Sequence, residues 1–428
     1  MVKMSRSILI GVGVAIVAVV IAVVAVNYWY AGRALPPEIK IGFLVDLRDA
    51  VDQNAVKAAQ LAVREINEKG GLLGRPVKLL IEDYKGEVPL AVSAYEKLVT
   101  KDQCVLVIIG KCAEFGLAVQ ERGAQLYKEY PHILMTQAAT AEFTDRVLRD
   151  YEKYKFSMRV VYNTRDQIDF GIQFLKYVKE KLNIKKVALL YEDYAWTKIY
   201  RDGDPAWGYK PYREYLKDLG LEVVYEATIA PGEKMFLPIF EAIAKSGADW
   251  IEAYACAYID TITMAKQWAA SPARDITLHI GWGAPALPAY WNWTGGACLG
   301  VVVCSPNVPF ELPPPYPSHK EFLEKLAKEG AAYTWMSLVY NSIKFFAAVV
   351  EKAGTVTDVE KLIKVAEQIE VPGTLGTIKL RNDHSAIFKY PPYQVIVWGQ
   401  WQGPGKLVLV WPPELAQASI KSVRELRG

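Results

Sequence analysis

Small and hydroxyl-bearing residues follow one predicted strand of this chain, at a point where they are able to bind a ligand. Residues 135–144 read MTQAATAEFT and come directly after HIL at 132–134. Small residues let backbone N–H groups approach a ligand, while a hydroxyl and the N-terminus of a following helix favour an anionic or carbonyl oxygen. The alternative is a structural one, in which Ala-Ala-Thr only makes a tight loop and caps the next helix.

Residue patterns that carry catalysis are scarce in the sequence. It contains no H-E-x-x-H, no G-x-S-x-G and no phosphate-binding G-x-x-x-x-G-K-[ST] motif. His132 and His279 fall in predicted strands, where a buried and hydrogen-bonded core role is typical. No cysteine spacing suits a metal ion. We therefore predict a binding protein that is not an enzyme and needs no cofactor.

Composition and charge limit the classes of partner. The chain has 428 residues, of which 23% are charged, and a formal net charge of +3. Lysines and arginines are scattered along predicted helix faces and form no basic stripe, so nucleic acid is not an expected partner. The length predicts two or three domains.

The N-terminal segment has the length and composition of a membrane-spanning helix. Residues 8–26 are almost all Ile, Val, Ala, Leu and Gly, and Asn-Tyr-Trp-Tyr follows at 27–30. About 20 apolar residues span a bilayer, and aromatic rings suit its interface. Lys3 and Arg6 precede the run, which predicts a cytoplasmic N-terminus and an extracellular domain from Pro36 onward. The alternative is a cleaved secretory signal.

The cysteines argue against a lipid anchor, because the first of them is Cys104. An odd number of cysteines leaves at least one thiol unpaired. Two alternatives stay open for the later pair, a bridge between Cys298 and Cys304 or buried free thiols. The five cysteines are Cys104, Cys112, Cys256, Cys298 and Cys304.

Apolar runs rich in β-branched residues alternate with segments of helical periodicity through the first 300 residues. Such alternation predicts parallel sheets with right-handed crossovers, hence doubly wound α/β layers. The first series has predicted strands at 39–45, 77–83, 104–110 and 132–136, and helices around 56–66, 89–100 and 113–130. The second has predicted strands at 187–191, 221–227, 249–255 and 276–281, and helices at 165–182, 209–219, 237–245 and 257–269.

In the last quarter of the chain, the sequence predicts helices and strands that add to both layers. A proline-rich segment at 307–318 indicates a linker or loop, and helices are expected between 318 and 370. The predicted fold class is α/β, with two doubly wound parallel-sheet lobes, a hinge of several crossings and an N-terminal transmembrane helix. The final β segments are expected at 373–380, 393–399 and 406–411. The predicted units are an anchor (1–35), lobe 1 (36–157 and 304–375), lobe 2 (158–303 and 376–412) and a tail (413–428).

Polar and small residues follow three strands of the first predicted lobe. They are Asp46–Asp49, Lys111–Phe115 and Thr136–Thr140. Ligands of doubly wound sheets bind outside the carboxyl ends of the strands. We therefore expect these segments to line a cleft that faces the second lobe.

Four stretches carry a resemblance to a known family. They are EINEKGGLLGRPVKLLIEDYKG (65–86), VIIGKC (107–112), QAATAEFT (137–144) and the C-terminal GTLGTIKL…YQVIVWGQW…KLVLVWP. Together they resemble the branched-chain amino-acid-binding proteins of ABC transporters, and the similarity covers nearly all of residues 38–412. The resemblance implies a two-lobed, type I periplasmic-binding fold that closes on a small ligand.

The resemblance also implies ligand contacts in the first lobe. Ala138, Ala139 and Thr140 match the loop that holds the ligand's amino and carboxylate groups through backbone carbonyl and hydroxyl groups. Ala113 stands where the family has a carboxylate-binding serine, so only its backbone N–H is left for that role.

In the second lobe, Trp207 matches an aromatic residue that stacks on the ligand, and either Tyr254 or Tyr258 matches another. Gly283 stands where an acidic residue pairs with the ligand's ammonium group. Because a buried ammonium without a carboxylate is costly, amino acids, amides, small carboxylates and aromatic acids all remain possible ligands. Other polar partners are available at Arg48, Asp49, Glu114, Glu192, Asp193 and Asp260.

The predicted function is that of an extracellular solute-binding receptor of an ABC importer, held at the cell membrane by its N-terminal helix. Its expected partners are a small amino-acid-like or related polar ligand and the permease subunits. The alternative is a ligand-sensing ectodomain of a receptor complex that uses the same fold. Only residues 1–7 precede the membrane run, which favours transport over signalling.

Overall fold

The computed structural model describes residues 38–110, 113–255, 259–305, 317–333, 335–389 and 391–428. The predicted membrane segment, residues 8–26, lies outside these ranges, as does most of the proline-rich segment. Within the described ranges, no helix combines the length and the apolar character needed to cross a bilayer.

The first layer is a parallel sheet of five strands with helices between them, as the sequence predicts. Its strand order is β2-β1-β3-β4-β5, and every adjacent pair runs parallel. The strands are β1 (Ile39–Val45), β2 (Val77–Asp83), β3 (Leu106–Ile109), β4 (Ile133–Thr136) and β5 (Ser157–Met158). The helices are α1 (Ala50–Glu68), α2 (Val88–Thr100), α3 (Ala113–Leu126), α4 (Glu142–Arg149) and α5 (Tyr151–Tyr154).

The second layer is a sheet of seven strands in the order β14-β13-β10-β9-β8-β6-β7. Strands β6 to β10 are parallel, whereas β13 runs antiparallel to β10 and β14 antiparallel to β13. The strands are β6 (Lys186–Glu192), β7 (Glu222–Ile229), β8 (Trp250–Tyr254), β9 (Thr277–Ile280), β10 (Val302–Ser305), β13 (Val397–Gly403) and β14 (Lys406–Trp411). The helices are α6 (Thr164–Leu182), α7 (Lys198–Asp202), α8 (Tyr212–Asp218), α9 (Leu237–Ser246), α10 (Thr261–Ala270) and α11 (Tyr290–Thr294).

Three later helices return to the first layer. The Tyr340 hydroxyl donates to Glu65 on α1 at 2.6 Å, and Lys344 pairs with the same carboxylate at 3.2 Å. A small hairpin follows, where the sequence predicts one β segment over 373–380. Its Thr374-Leu375 turn divides that segment in two. The elements are α12 (Pro317–Lys328), α13 (Val339–Ala353), α14 (Val359–Ala366), β11 (Val371–Gly373) and β12 (Gly376–Ile378).

Helix α1 ends at two glycines that the turn into β2 requires. Gly70 and Gly71 have φ angles of +97° and +80°, a region that side chains disfavour. A Cβ on Gly71 would lie 1.9 Å from the carbonyl oxygen of Arg75. The turn therefore depends on glycine at Gly71 for space as well as for conformation.

Cys298 and Cys304 are free, buried thiols, so they do not form the bridge that the sequence left open. Cys304 packs in the core between the second sheet and α6, whereas Cys298 packs in the core on the other face of that sheet. The body of the sheet therefore separates the two sulfur atoms.

The chain crosses between the layers through extended segments that touch each other. After β5, Arg159 bridges to Ser385 of a later crossing, with Arg159 N–H donating to the His384 carbonyl at 2.9 Å. The predicted strand at 393–399 begins only at Val397, because the preceding residues belong to this crossing. The predicted lobe boundaries stay a prediction, and the boundary at 303/304 falls inside β10.

The segment predicted as a tail packs against the second layer. Val423 is fully buried and opens helix α15 (Val423–Arg427). The Arg427 guanidinium carbon lies 5.1 Å from the ring centre of Trp268. Residues 413–428 therefore contribute to the core of this layer.

Candidate functional site

The loop after β4 lies where the sequence placed it, at the carboxyl end of the first sheet. The Thr136 hydroxyl accepts from the N–H of Ala138 at 3.0 Å, which turns the chain out of the strand. Ala138 is buried and Thr140 is 6% exposed. The loop is thus a fixed part of the layer.

One arginine that the sequence analysis missed organises this loop. The Nη1 atom of Arg159 donates to the carbonyl oxygens of Ala138 and Thr140 at 3.0 and 2.5 Å. Its Nη2 atom donates to the hydroxyls of Thr144 and Ser385 at 2.7 and 3.0 Å. Burial lowers the pKa of Arg159 to about 10, so the guanidinium is charged at neutral pH. The signal was a single charged residue within the apolar run at 156–162.

The carbonyl oxygen of Ala139 accepts hydrogen bonds from the first residue of α6. The N–H and the hydroxyl of Thr164 donate to it at 2.8 and 3.0 Å. The backbone carbonyls of Ala138, Ala139 and Thr140 are therefore engaged by Arg159 and Thr164. The hydroxyl of Thr140 is not used by this arginine.

Two other predicted site residues lie at the same edge of the first sheet. Ala113 is the first residue of α3 and is buried. Arg48 follows β1 on an exposed loop, where its Nε and Nη2 atoms donate to the Asp46 carboxylate at 2.8 and 2.7 Å. The ion pair directs this guanidinium to Asp46, and a ligand has to compete with it.

Trp207 lies in a short 3₁₀ helix (Pro205–Trp207) and is 39% exposed. The guanidinium carbon of Arg165 lies 4.5 Å from its ring centre. Arg165 also binds Asp145 on α4 and Asp204 beside the tryptophan, at N–O distances of 2.6 Å. The tryptophan is therefore held near the helix that follows the loop after β4, with part of its side chain exposed to solvent.

Tyr254 is an interior residue of the second layer. It is 4% exposed, and its ring centre lies 4.0 Å from that of Tyr200 and 5.3 Å from that of Tyr212. Burial raises the pKa of Tyr254 well above its ordinary value. Among the candidates for a stacking aromatic, Tyr254 is thus enclosed by other rings, and Tyr258 lies outside the described residues.

Trp282 and Gly283 follow β9 at the carboxyl end of the second sheet. The ring of Trp282 stacks on that of Tyr162 with centres 4.7 Å apart. Its Nε1–H is buried and has no hydrogen-bond acceptor within the described part of the chain. Gly283 has φ +92° and brings no carboxylate, as the sequence shows.

Three of the acidic side chains that the sequence offered as substitutes have partners within the chain. Glu192 is buried at the end of β6 and accepts from the indole N–H of Trp196 at 3.3 Å. Asp193 pairs with Arg201 at 2.8 Å. Asp260 caps α10 through the N–H of Thr263 at 2.9 Å.

The two layers approach each other at these carboxyl ends. Residues of α3 lie within 8 Å, between Cα atoms, of the 3₁₀ helix Ala195–Thr197 that follows β6. A separate groove of about 920 Å³ lies along α6 and the crossings, between Phe170, Phe388 and Trp411. The predicted site residues are not in that groove.

Comparison with known proteins agrees with this geometry. A family model described as periplasmic binding protein matches residues 38–399. A Leu/Ile/Val-binding protein of Rhizobium johnstonii is 24% identical over 347 residues, which are 80% of this chain and 87% of that protein. The resemblance noted in the sequence is confirmed.

Solved structures share the fold at low sequence identity. A putative branched-chain amino acid ABC transporter protein from Silicibacter pomeroyi has a TM-score of 0.75 at 18% identity, covering 90% of this chain and 99% of its own. A solute-binding protein of an ABC transporter from R. palustris, in complex with 4-hydroxybenzoate, has a TM-score of 0.69 at 19% identity, covering 86% and 95%. These relatives are solute-binding proteins and not enzymes.

Proposed function

This chain belongs to the periplasmic binding protein family, and on that premise we propose that it is the solute-binding receptor of an ABC importer. It captures a small amino-acid-like or related polar ligand between its two layers and delivers it to permease subunits. The observation that carries the proposal is the loop 137–140, held at the carboxyl end of β4 by the buried Arg159. Rigid placement of a polar loop beside an opposing layer suits capture of a small ligand.

Two ligand classes are consistent with the relatives. One relative is named for leucine, isoleucine and valine, and one structural neighbour holds 4-hydroxybenzoate. Both classes carry a carboxylate, which the Thr140 hydroxyl and nearby N–H groups are suited to bind. We therefore place the carboxylate end of the ligand at the loop that follows β4.

Closure of the layers is the proposed working motion. Crossings that consist of a few extended residues suit hinge bending. The α3 end and the 3₁₀ helix Ala195–Thr197 face each other across the cleft, so a ligand bound there contacts both layers. Binding energy is then available to favour the closed form.

We also propose that residues 8–26 attach the chain to the membrane. The run is uncharged and long enough to span a bilayer. An anchor at this end places the binding layers on the outer side of the membrane, next to the permease. Extraction of membranes with carbonate tests the anchor, because a spanning helix keeps the chain in the pellet.

A thermal-shift screen of the full-length chain tests solute binding. The panel contains amino acids, amides, carboxylates and sugars, and the chain is kept in mild detergent. A ligand at 100 times its dissociation constant stabilises the folded state by about 2.7 kcal/mol. We expect a carboxylate-bearing compound to raise the melting temperature by several degrees.

A pair of valine substitutions controls the screen. Thr140→Val removes the hydroxyl at the loop, and the shift should fall. Thr357→Val makes the same change at an exposed position and should leave the shift intact. If no compound shifts the wild-type chain, solute capture is refuted. If the chain binds a ligand but does not increase uptake of that ligand by vesicles that contain the cognate permease, the result favours the ligand-sensing alternative.

A further inference from the structure

We propose that this cleft selects a small carboxylate without an α-ammonium group, so that free α-amino acids are poor ligands. The inference rests on the proposed solute-binding function and specifies its ligand class. It follows from the state of the backbone carbonyl acceptors of residues 138–140. An ammonium group needs acceptors and a carboxylate, whereas a carboxylate ligand needs donors.

The central acceptor of the loop is already filled. The carbonyl oxygen of Ala139 receives two hydrogen bonds from Thr164, one from its N–H at 2.8 Å and one from its hydroxyl at 3.0 Å. A carbonyl oxygen has two lone pairs. A ligand ammonium therefore finds no free acceptor site on this oxygen.

The two flanking acceptors face a positive charge. Nη1 of Arg159 is bonded to the carbonyl oxygens of Ala138 and Thr140. The arginine is fully buried, and like charges repel strongly where water is excluded. An ammonium placed on either oxygen would lie beside this guanidinium, which disfavours its binding.

The carboxylates close enough to act on Arg159 are paired with other arginines. Asp145 accepts both Nη atoms of Arg165 at 2.6 Å. Asp166 accepts from Arg381 at 2.9 Å, and Asp383 lies 3.5 Å from the Nε of the same arginine. These carboxylates compensate three buried or half-buried guanidinium groups. A ligand ammonium would have to compete with one of these guanidinium groups for its carboxylate.

A donor group and aromatic surface are present at the carboxyl end of the second sheet. The Trp282 Nε1–H is buried without an acceptor in the described residues, which is costly unless a ligand or water completes it. Its ring stacks on Tyr162, two residues before Thr164. Gly283, the residue after Trp282, has no side chain that could accept a hydrogen bond from an ammonium group. Trp282 and Gly283 thus offer a donor and ring surface but no side-chain acceptor.

Matched ligand pairs test the inference on the full-length chain by titration calorimetry. The pairs are leucine with 4-methylpentanoate and phenylalanine with 3-phenylpropanoate, whose members differ only in the α-ammonium group. We expect the member without the ammonium to bind at least about tenfold more tightly. The neutral 3-phenylpropanamide should bind more weakly than 3-phenylpropanoate, because it lacks the carboxylate.

The outcomes separate this inference from the proposed function. Equal or tighter binding of the amino acids overturns the ligand class and leaves solute capture standing. Absence of binding by every compound, 4-hydroxybenzoate included, refutes solute capture and the inference with it. Tight binding of the amide refutes the carboxylate requirement.

Substitution of the arginine provides a second measurement. Arg159→Met removes the charge and frees two carbonyls, so the preference within each pair should shift toward the amino acid. Arg159→Lys retains the charge and should retain the preference. If the Met variant does not fold, the comparison of wild type with the Lys variant still decides, since loss of preference in the Lys variant would contradict the role of the charge.

Discussion

Arg165 and Asp145 form a bidentate ion pair in which both N–O distances are 2.6 Å. Their side chains are 7% and 4% exposed. Asp145 lies on α4 of the first layer, and Arg165 lies in the first turn of α6 of the second layer. The pair therefore ties the two layers together beside the crossing that joins them.

Loss of one partner of this pair should destabilise the fold strongly. Asp145→Asn leaves the buried Arg165 with Asp204 as its remaining carboxylate, and breaking a buried pair costs about 3–5 kcal/mol. Urea unfolding measures the difference. Glu142→Gln alters surface ion pairs with Arg146 and Arg149 and should change stability by about 1 kcal/mol or less. Similar effects of the two substitutions would show that Arg165 is adequately held by Asp204.

Because Arg159 donates hydrogen bonds to several acceptors, removing one acceptor should destabilise the fold less than removing the arginine itself. Ser385→Ala deletes one acceptor of Nη2 while Thr144 still accepts, so we expect a loss of about 1 kcal/mol. Arg159→Met leaves the Ala138 and Thr140 carbonyls without this donor and should cost at least about 3 kcal/mol. Guanidinium unfolding curves compare the two variants. If Ser385→Ala costs as much stability as Arg159→Met, the hydrogen bond to Ser385, and not those to the loop carbonyls, makes the main contribution of Arg159.

The glycine pair after α1 gives a matched test of backbone strain. Gly71→Ala places a Cβ 1.9 Å from the Arg75 carbonyl oxygen at φ +80°, so the turn must shift, at a cost of about 3 kcal/mol or more. Gly70→Ala has φ +97° but no atom within 4 Å, and about 1 kcal/mol is expected. Denaturant unfolding of both variants checks the order. Equal losses would mean that conformation alone, without steric overlap, sets the cost.

Buried His132 predicts a dependence of stability on acid pH. Desolvation lowers its pKa from 6.5 to about 4, and its Nδ1 is 2.6 Å from the Tyr130 carbonyl oxygen. Because the folded state disfavours protonation of the His132 imidazole, its contribution to the free energy of unfolding is fully present above pH 6.5. That contribution is lost as the pH falls toward 4. The linked change is about 3 kcal/mol. Unfolding at pH 7 and pH 4 should show a larger acid loss in wild type than in His132→Gln, and parallel losses would contradict the assignment.

Local features of the sequence predicted most of the elements. The alternation of apolar runs and helical periods placed β1 to β4 and α1 to α3, because the period of burial within one element is a local property. The loop at 137–140 was also found locally, since it directly follows a strand. The end of α1 before Gly70 and Gly71 is likewise a local feature of the chain.

The partners within the site depended on the tertiary structure. Arg159 lies about twenty positions from Ala138 and more than two hundred from Ser385, yet it binds both. Likewise, Tyr254 was a candidate ligand contact by position, and only the packing of Tyr200 and Tyr212 shows that it is enclosed. Periodicity predicts which face of an element is buried, but it does not predict what packs against that face.

The sequence by itself determined the α/β alternation, the polar segments at the strand ends and the resemblance to a family. Only the tertiary structure decided that β13 and β14 add antiparallel to the second sheet, that Cys298 and Cys304 lie on opposite faces of it, and that the carbonyls at 138–140 are engaged. The physical reason is that backbone conformation and burial period are set by neighbours in sequence. Strand register, ion pairing and hydrogen-bond saturation are set by groups that meet only after the chain has folded.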